Sequence, residues 1–147
     1  MIRAVLDTNV LASGFVEFAA AERTPARLLR LWREQRFALV VSAEILTELL
    51  DTFADPYFRQ QLTPEQILAA QRLLLEEAIW TPVTAPVSDV ATHPEDDQIL
   101  AAAVSCKAEY LVTGDKKLQQ LGAYQGVRVI SPRAFLDLLE ATGGNEL

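Results

Sequence analysis

Three aspartates stand where apolar segments of the chain give way to polar residues. Asp7 ends the apolar run of "VLDTNVL", and Asp115 follows "EYLVT" after a single glycine. Asp96 lies in the first turn of a predicted helix in "HPEDDQILAAA", where the helix dipole favours an anion. One aspartate at such a place is commonly just the N-cap of the next helix. Caps have no reason to converge, whereas carboxylates that converge on one point can ligate a hard divalent cation.

The elements that must position these acids alternate along the chain. Short apolar segments predict four buried strands, at Ile2–Leu6, Phe37–Val41, Glu109–Thr113 and Val127–Ser131. Segments with helical periodicity lie between them, including one from Pro64 to Ile79 that begins with a capping box. This alternation predicts a three-layer α/β/α sandwich with a central, mostly parallel sheet of about four to five strands. We expect a single domain over residues 1–141 and a frayed tail over residues 142–147.

Ligands of open parallel sheets bind beyond the carboxyl ends of the strands, where Asp7 and Asp115 are expected. Asp96 should point the same way, because it shares a helical stripe with three apolar residues, Ile99, Leu100 and Ala103. Asp97 lies about 100° further round the same helix and is expected at the rim of the site. The spacing therefore predicts that three carboxylates meet at one edge of the sheet.

The acids of "SAEILTELLDTF" are open to two interpretations. Glu44, Glu48 and Asp51 lie at spacings of four and seven residues, which is typical of a solvated polar face. Nothing in this spacing distinguishes Glu48 from Glu44.

The charge balance opposes a conventional nucleic-acid binder. The chain has 13 lysines and arginines against 20 aspartates and glutamates, a formal charge of −7, whereas nucleic-acid binders are usually basic. Arg27 and Arg30 belong to an arginine-rich helix that could contact phosphates, although a solvated face paired with acids such as Glu34 is favoured. Lys116 and Lys117, beside Asp115, are better placed to meet a substrate backbone.

The sequence predicts a cytoplasmic protein without a membrane segment. Its single cysteine, Cys106, cannot form an internal disulfide and lies in an apolar stretch, as is usual in a reducing compartment. No apolar run approaches the roughly 18 residues that span a bilayer, and the N-terminus lacks the apolar region of a signal peptide.

Four motifs in order resemble the PIN-domain ribonucleases over nearly the whole chain. In that family an N-terminal strand ends in Asp-Thr-Asn, as at residues 7–9, and a helix after the second strand carries a glutamate, as in "ILTELL". A later helix begins with "DP-x-D", matched by "HPEDDQILAAA" with His93 in place of the first aspartate, and a strand leads into "LVTGDKKL". The branch that the chain resembles most is that of the VapC-like bacterial toxins of toxin–antitoxin pairs.

The resemblance implies a catalytic and metal-binding quartet, with two supporting polar groups, Asn9 and Thr113. The quartet consists of Asp7, Glu48, Asp96 and Asp115. Oxygen-only ligands select one or two hard cations such as Mg²⁺ or Mn²⁺, which can activate water for attack on a phosphodiester. Zinc is disfavoured in a chain with one histidine and one cysteine. The resemblance also implies an RNA substrate, a small antitoxin protein as partner, and a homodimer.

Three alternatives compete with this interpretation. A non-catalytic PIN-like module that binds protein or RNA would be compatible with the acidic net charge. A phosphatase with an aspartate nucleophile would normally carry a second aspartate two residues after Asp7, where this chain has Asn9. A Ser–His–Asp hydrolase would need His93, the only histidine, which adjoins Pro94 with no nucleophile motif nearby.

Overall fold

The computed structural model describes residues 1–18, 23–91 and 93–143. The strands are β1 (Arg3–Leu6), β2 (Ala38–Val41), β3 (Ile79–Trp80), β4 (Tyr110–Val112), β5 (Ala123–Tyr124) and β6 (Val127–Ile130). The helices are α1 (Thr8–Val16), α2 (Thr24–Arg33), α3 (Ala43–Phe53), α4 (Pro56–Gln61), α5 (Pro64–Glu77), α6 (Pro94–Ser105), α7 (Lys116–Gln119) and α8 (Pro132–Gly143).

The six strands form one sheet in the order β3-β2-β1-β4-β6-β5. Every neighbouring pair is parallel except the β5–β6 pair, which is antiparallel. The predicted three-layer α/β/α sandwich with a mostly parallel sheet is thereby confirmed. The sheet has more strands than predicted because β3 and β5 contain two residues each, too few to leave an apolar pattern in the sequence.

Helices cover the central strands, so these strands are apolar on both faces. Val5, Leu39 and Leu111, one from each of β1, β2 and β4, are all fully buried. Helix α1 packs against both α2 and α3. A Cβ atom added at Gly14 would lie 2.7 Å from Leu29 Cδ1, so a larger residue here would force Leu29 to move where α1 approaches α2.

The strand order reverses between β1 and β4. From β1 the chain moves outward to β2 and β3 and then returns to pair β4 with the other side of β1. Ligands of doubly wound sheets bind at such a reversal, beyond the carboxyl ends of the strands. The register pairs Leu6 with Val112, and the Asp7 backbone N–H donates a 2.8 Å hydrogen bond to the Val112 carbonyl. Asp7 and Thr113 therefore leave the sheet side by side.

The predicted element boundaries are correct to within a few residues. Helix α5 begins with the expected capping box between Thr63 and Gln66, but it ends at Glu77 because Ile79 enters β3. Helix α8 continues to Gly143, two residues beyond the predicted end of the domain, and positions 144–147 of the expected frayed tail lie outside the described residues. Within the described ranges, no helix has the length and apolar character needed to cross a membrane.

Candidate active site

A cleft of about 1080 Å³ opens at the carboxyl ends of β1 and β4. All four predicted acids line it, together with Asn9; the acids are Asp7, Glu48, Asp96 and Asp115. The described residues that line the cleft include no lysine and no arginine. The structure therefore brings the predicted acids together on a surface of strongly negative charge.

Asp7 lies at the floor of the cleft and is only 7% exposed. It occupies the N-cap position of α1, yet its side chain makes no cap hydrogen bond of ordinary geometry. Instead, its Oδ2 accepts a 2.7 Å hydrogen bond from Thr113 Oγ1. Burial raises the pKa of Asp7, and the hydroxyl of Thr113 opposes that rise because it favours the charged carboxylate. Asp7 is thus held toward the strand ends by Thr113, while the backbone N–H groups of Thr8 and Asn9 also favour its charged form.

Asp115 combines a capping role with a place in the cleft. Its Oδ1 accepts hydrogen bonds from the backbone N–H groups of Lys117, at 2.9 Å, and Leu118, at 3.4 Å, so it is the N-cap of α7. Its own N–H donates to Thr113 Oγ1 at 3.1 Å. The fully buried Thr113 therefore contacts both aspartates, and the predicted hydrogen bond from Thr113 to a carboxylate is present.

Glu48 and Asp96 are half-buried and face the other acids across the cleft. Burial, together with the negative charges of Asp7, Glu95 and Asp96, raises the pKa of Glu48 to about 7. Burial and the charges of Asp7, Asp115 and Glu95 raise the pKa of Asp96 to about 6, although His93 opposes the rise. Burial and the mutual repulsion of the carboxylates therefore both favour a bound proton or cation over the bare charged groups.

Asp97 does not lie at the rim, and that prediction is wrong. Its side chain is buried, and its Oδ1 accepts hydrogen bonds from the backbone N–H groups of Val90, at 3.2 Å, and Ala91, at 2.7 Å. The connector before α6 folds over this face of the helix, which helical periodicity alone does not reveal. Asp97 holds the connector, while Asp96 lines the cleft beside it.

His93 lines the cleft at the start of α6, and the other end of the connector is attached at the end of the same helix. His93 is an exposed N-cap of α6 that makes no side-chain cap hydrogen bond, and it lines the cleft. Ser105 Oγ, at the end of α6, accepts a 3.0 Å hydrogen bond from each of the N–H groups of Thr84 and Ala85. The connector is thus attached to α6 near both ends of the helix.

The predicted cationic contacts lie outside the cleft lining. Arg27 forms an ion pair with Glu140 of α8, and Arg30 donates a 3.0 Å hydrogen bond to the Phe18 carbonyl. The favoured interpretation of a paired arginine face therefore agrees with the contacts, although the partner of Arg27 is Glu140 and not Glu34. Lys116 and Lys117 are exposed at the start of α7, directly after Asp115.

Among the described residues, three acids that were not predicted as site residues also line the cleft, namely Asp51, Asp55 and Glu95. Asp51 lies one helical turn after Glu48, so the same face of α3 carries both, and this spacing was a usable signal. Glu95 adjoins Asp96. Asp55 caps α4 by accepting a 3.0 Å hydrogen bond from the Tyr57 N–H, and nothing in the local sequence places that turn at the cleft.

The donor set fits a hard divalent cation. Among the described residues, no group of three histidine, cysteine, aspartate or glutamate side chains is arranged so that it could hold a metal ion as it stands. The acids of the cleft nevertheless offer oxygen atoms, which Mg²⁺ and Mn²⁺ prefer, and their mutual repulsion is the kind that a cation relieves.

Known proteins match this chain in family and in fold. The family model of the PIN domain matches residues 3–117, a range that contains all four predicted acids. No curated protein matches the chain. Among solved structures, the chain is similar to one in VapBC2 from Rickettsia felis bound to a DNA fragment from their promoter. That pair is 15% identical with a TM-score of 0.58, and the alignment covers 88% of this chain and 98% of the other.

Proposed function

Because this chain belongs to the PIN domain family, whose members are generally nucleases, we propose that it is a metal-dependent endoribonuclease. It would hydrolyse RNA phosphodiester bonds in the acidic cleft. The observation that carries this proposal is the convergence of four carboxylates at the point where the strand order reverses. A phosphodiester is repelled by such a surface unless cations lie between the two.

Each of the four acids has a role in this proposal. Asp7, Asp96 and Asp115 would hold Mg²⁺ or Mn²⁺, as one or two ions. When bound, the metal would supply a positive charge that activates water and stabilises the charge developing on the phosphate. Glu48 would contact a second ion or orient the attacking water.

Two polar residues support the acids. The hydrogen bond from Thr113 fixes the Asp7 carboxylate and favours its charged form. Asn9, exposed in the first turn of α1, would position Asp7 or a water molecule.

The substrate backbone would contact the lysines next to the cleft. Lys116 and Lys117 are exposed and follow Asp115, whereas Arg27 and Arg30 have partners elsewhere. We therefore assign the phosphate contacts to the two lysines.

We further propose that the protein is the toxin of a toxin–antitoxin pair, that it forms a homodimer, and that a small antitoxin protein silences it. The similarity in fold to a chain of the VapBC2 complex supports this proposal. Co-expression of the neighbouring open reading frame with the tagged chain tests it, because an antitoxin should co-purify and restore growth.

A cleavage assay tests the nuclease proposal. Purified protein is incubated with single-stranded and structured RNAs in Mg²⁺, in Mn²⁺, or in a chelator, with Asp7→Asn prepared in parallel. Cleavage is expected from the wild type and only with metal. Cleavage that survives chelation would disprove the metal mechanism, and an inert wild type in every metal would favour the non-catalytic module.

A further inference from the structure

Thr8 carries a buried hydroxyl that the fold itself does not use. The residue is 2% exposed, and its Oγ1 has no hydrogen-bond partner of ordinary geometry in the described part of the chain. Buried hydroxyls are almost always hydrogen-bonded, because the bonds they lose to water must be replaced. The exception at Thr8 therefore needs a physical explanation.

Two other helical threonines, both in α3, satisfy their hydroxyls locally. Thr47 Oγ1 donates to the Ala43 carbonyl at 3.0 Å, and Thr52 Oγ1 donates to the Glu48 carbonyl at 2.9 Å. Each uses the carbonyl one turn earlier in its own helix. Thr8 is the first residue of α1, and the residue four positions earlier is Ala4 of β1. The usual local partner is therefore missing, and valine would fill the same space without burying a hydroxyl.

The carboxyl group on which the Thr8 hydroxyl acts is that of Glu48. Helices α1 and α3 pack together, and the rings of Phe15 and Phe53 make an edge contact at 6.3 Å between centroids. At the other end of α1, the Thr8 hydroxyl acts on the carboxyl group of Glu48: it lowers the pKa that burial and the neighbouring acids raise. A hydroxyl has this effect when it donates toward the charged carboxylate.

We infer that Thr8 is a positioning residue whose buried hydroxyl holds the Glu48 carboxylate toward Asp7 when the cleft is loaded. This inference rests on the proposed function. Asp7 is already fixed by Thr113, and Asp115 is fixed by its cap bonds. Glu48 has a longer side chain with more rotamers to lose, so it gains most from a fixed donor. Thr8 would fix the Glu48 carboxylate by a hydrogen bond, as Thr113 fixes that of Asp7.

Three variants separate this role from a structural one. Thr8→Val keeps the shape and removes the hydroxyl, and Thr8→Ser keeps the hydroxyl. Thr47→Val makes the same exchange at an exposed position of α3 outside the cleft. The measurements are thermal unfolding in a chelator, Mg²⁺ affinity by calorimetry without RNA, and the rate of RNA cleavage.

Thr8→Val is expected to unfold at the same or a higher temperature than the wild type, because it removes an unpartnered buried hydroxyl. Its Mg²⁺ affinity and its rate of RNA cleavage should nevertheless each fall roughly tenfold or more. A loss of this size is usual when a group that orients a metal ligand is removed. Thr8→Ser should retain most of the Mg²⁺ affinity and most of the cleavage rate. Thr47→Val should change neither of these two quantities.

The inference is overturned if Thr8→Val binds Mg²⁺ and cleaves RNA as well as the wild type does, or if it unfolds at a lower temperature. It is also overturned if Thr8→Ser is impaired as much as Thr8→Val. If the wild type neither binds Mg²⁺ nor cleaves, the proposed function fails separately. Crystal structures of the metal-free wild type and Thr8→Val then decide. A Glu48 carboxylate that lies toward Asp7 in the wild type and turns away from it in Thr8→Val supports the inference, and the same position of Glu48 in both structures overturns it.

Discussion

Thr113 Oγ1 donates a 2.7 Å hydrogen bond to Asp7 Oδ2, across 106 positions of the sequence. The same oxygen accepts the backbone N–H of Asp115 at 3.1 Å. One buried hydroxyl thus joins the carboxyl ends of β1 and β4, the two strands between which the strand order reverses. The geometry of the acidic cleft depends on this link.

Removing the link should weaken metal binding. Thr113→Val takes away the hydrogen bond that favours the charged form of Asp7, so the pKa of Asp7 should rise further. We expect Mn²⁺ affinity, measured by calorimetry, to fall roughly 10- to 100-fold. Thr113→Ser is the matched control and should bind nearly as the wild type does. Undiminished Mn²⁺ binding by Thr113→Val would show that the link is only structural.

Asp7→Asn should abolish turnover without loss of fold. The amide oxygen can still accept from Thr113, while one charge leaves a repulsive and buried cluster. We expect cleavage to fall by roughly a hundredfold or more, since a ligand is lost and not only its support. The unfolding temperature in metal-free buffer should stay the same or rise. A drop of several degrees there would identify Asp7 as a structural residue instead.

The metal-free protein should lose stability as the pH rises. The native state raises the pKa of Asp96 from 3.8 to about 6 and that of Glu48 from 4.5 to about 7. It therefore binds protons more tightly than the unfolded chain does, and the free energy of unfolding falls with increasing pH across these two windows. Denaturant unfolding from about pH 4 to about pH 8 measures the slope.

Two controls isolate the groups responsible for that slope. Glu48→Gln should flatten the upper part of the profile, because the titrating carboxyl is gone. Saturating Mg²⁺ should reverse the trend, because an ion that binds the deprotonated native state stabilises it by mass action. A profile that is the same in wild type, Glu48→Gln and Mg²⁺ would contradict the coupling of these carboxylates.

Substitutions of Asp96 and Asp97 should have different effects, one on metal binding and the other on stability. Asp96→Asn is expected to lose Mn²⁺ binding and cleavage while unfolding at or above the wild-type temperature. Asp97→Ala removes the acceptor of two connector N–H groups and should cost about 1–3 kcal/mol of stability. Its folded fraction should still bind Mn²⁺. Calorimetry and thermal unfolding of both variants decide the assignment, and equal loss of Mn²⁺ binding would mean a shared site.

Substitutions of the lysines and of the arginines should also have different effects on RNA binding. A double Lys116→Ala, Lys117→Ala variant is expected to raise KM for RNA several-fold and to reduce its salt dependence, because two phosphate contacts are lost. Arg27→Ala breaks an ion pair that is largely solvent-exposed, which contributes less than about 1 kcal/mol. Arg27→Ala should leave KM unchanged. A rise in KM would indicate that the arginine face contacts the substrate.

Local sequence patterns predicted the strand ends that carry Asp7 and Asp115, because an apolar run followed by a polar turn is a short-range signal. They could not choose between Glu44 and Glu48, since that choice depends on which face of α3 meets α1. Nor could they place Asp97, whose environment is set by a connector that folds back over α6. The partner of Arg27 lies 113 positions away. Contacts of this kind are determined by tertiary packing and cannot be predicted from the periodicity of the sequence.

The shortness of β3 and β5 has a consequence for how copies of this chain meet. Both edges of the sheet are closed by strands of two residues each. Long edge strands expose rows of unpaired N–H and C=O groups that recruit other chains into edge-to-edge aggregates, and strands this short offer almost no such template. A second copy finds little strand edge to pair with, so we expect the proposed homodimer to use helix surfaces. Strand-mediated fibrils would require the outer strands to unravel first.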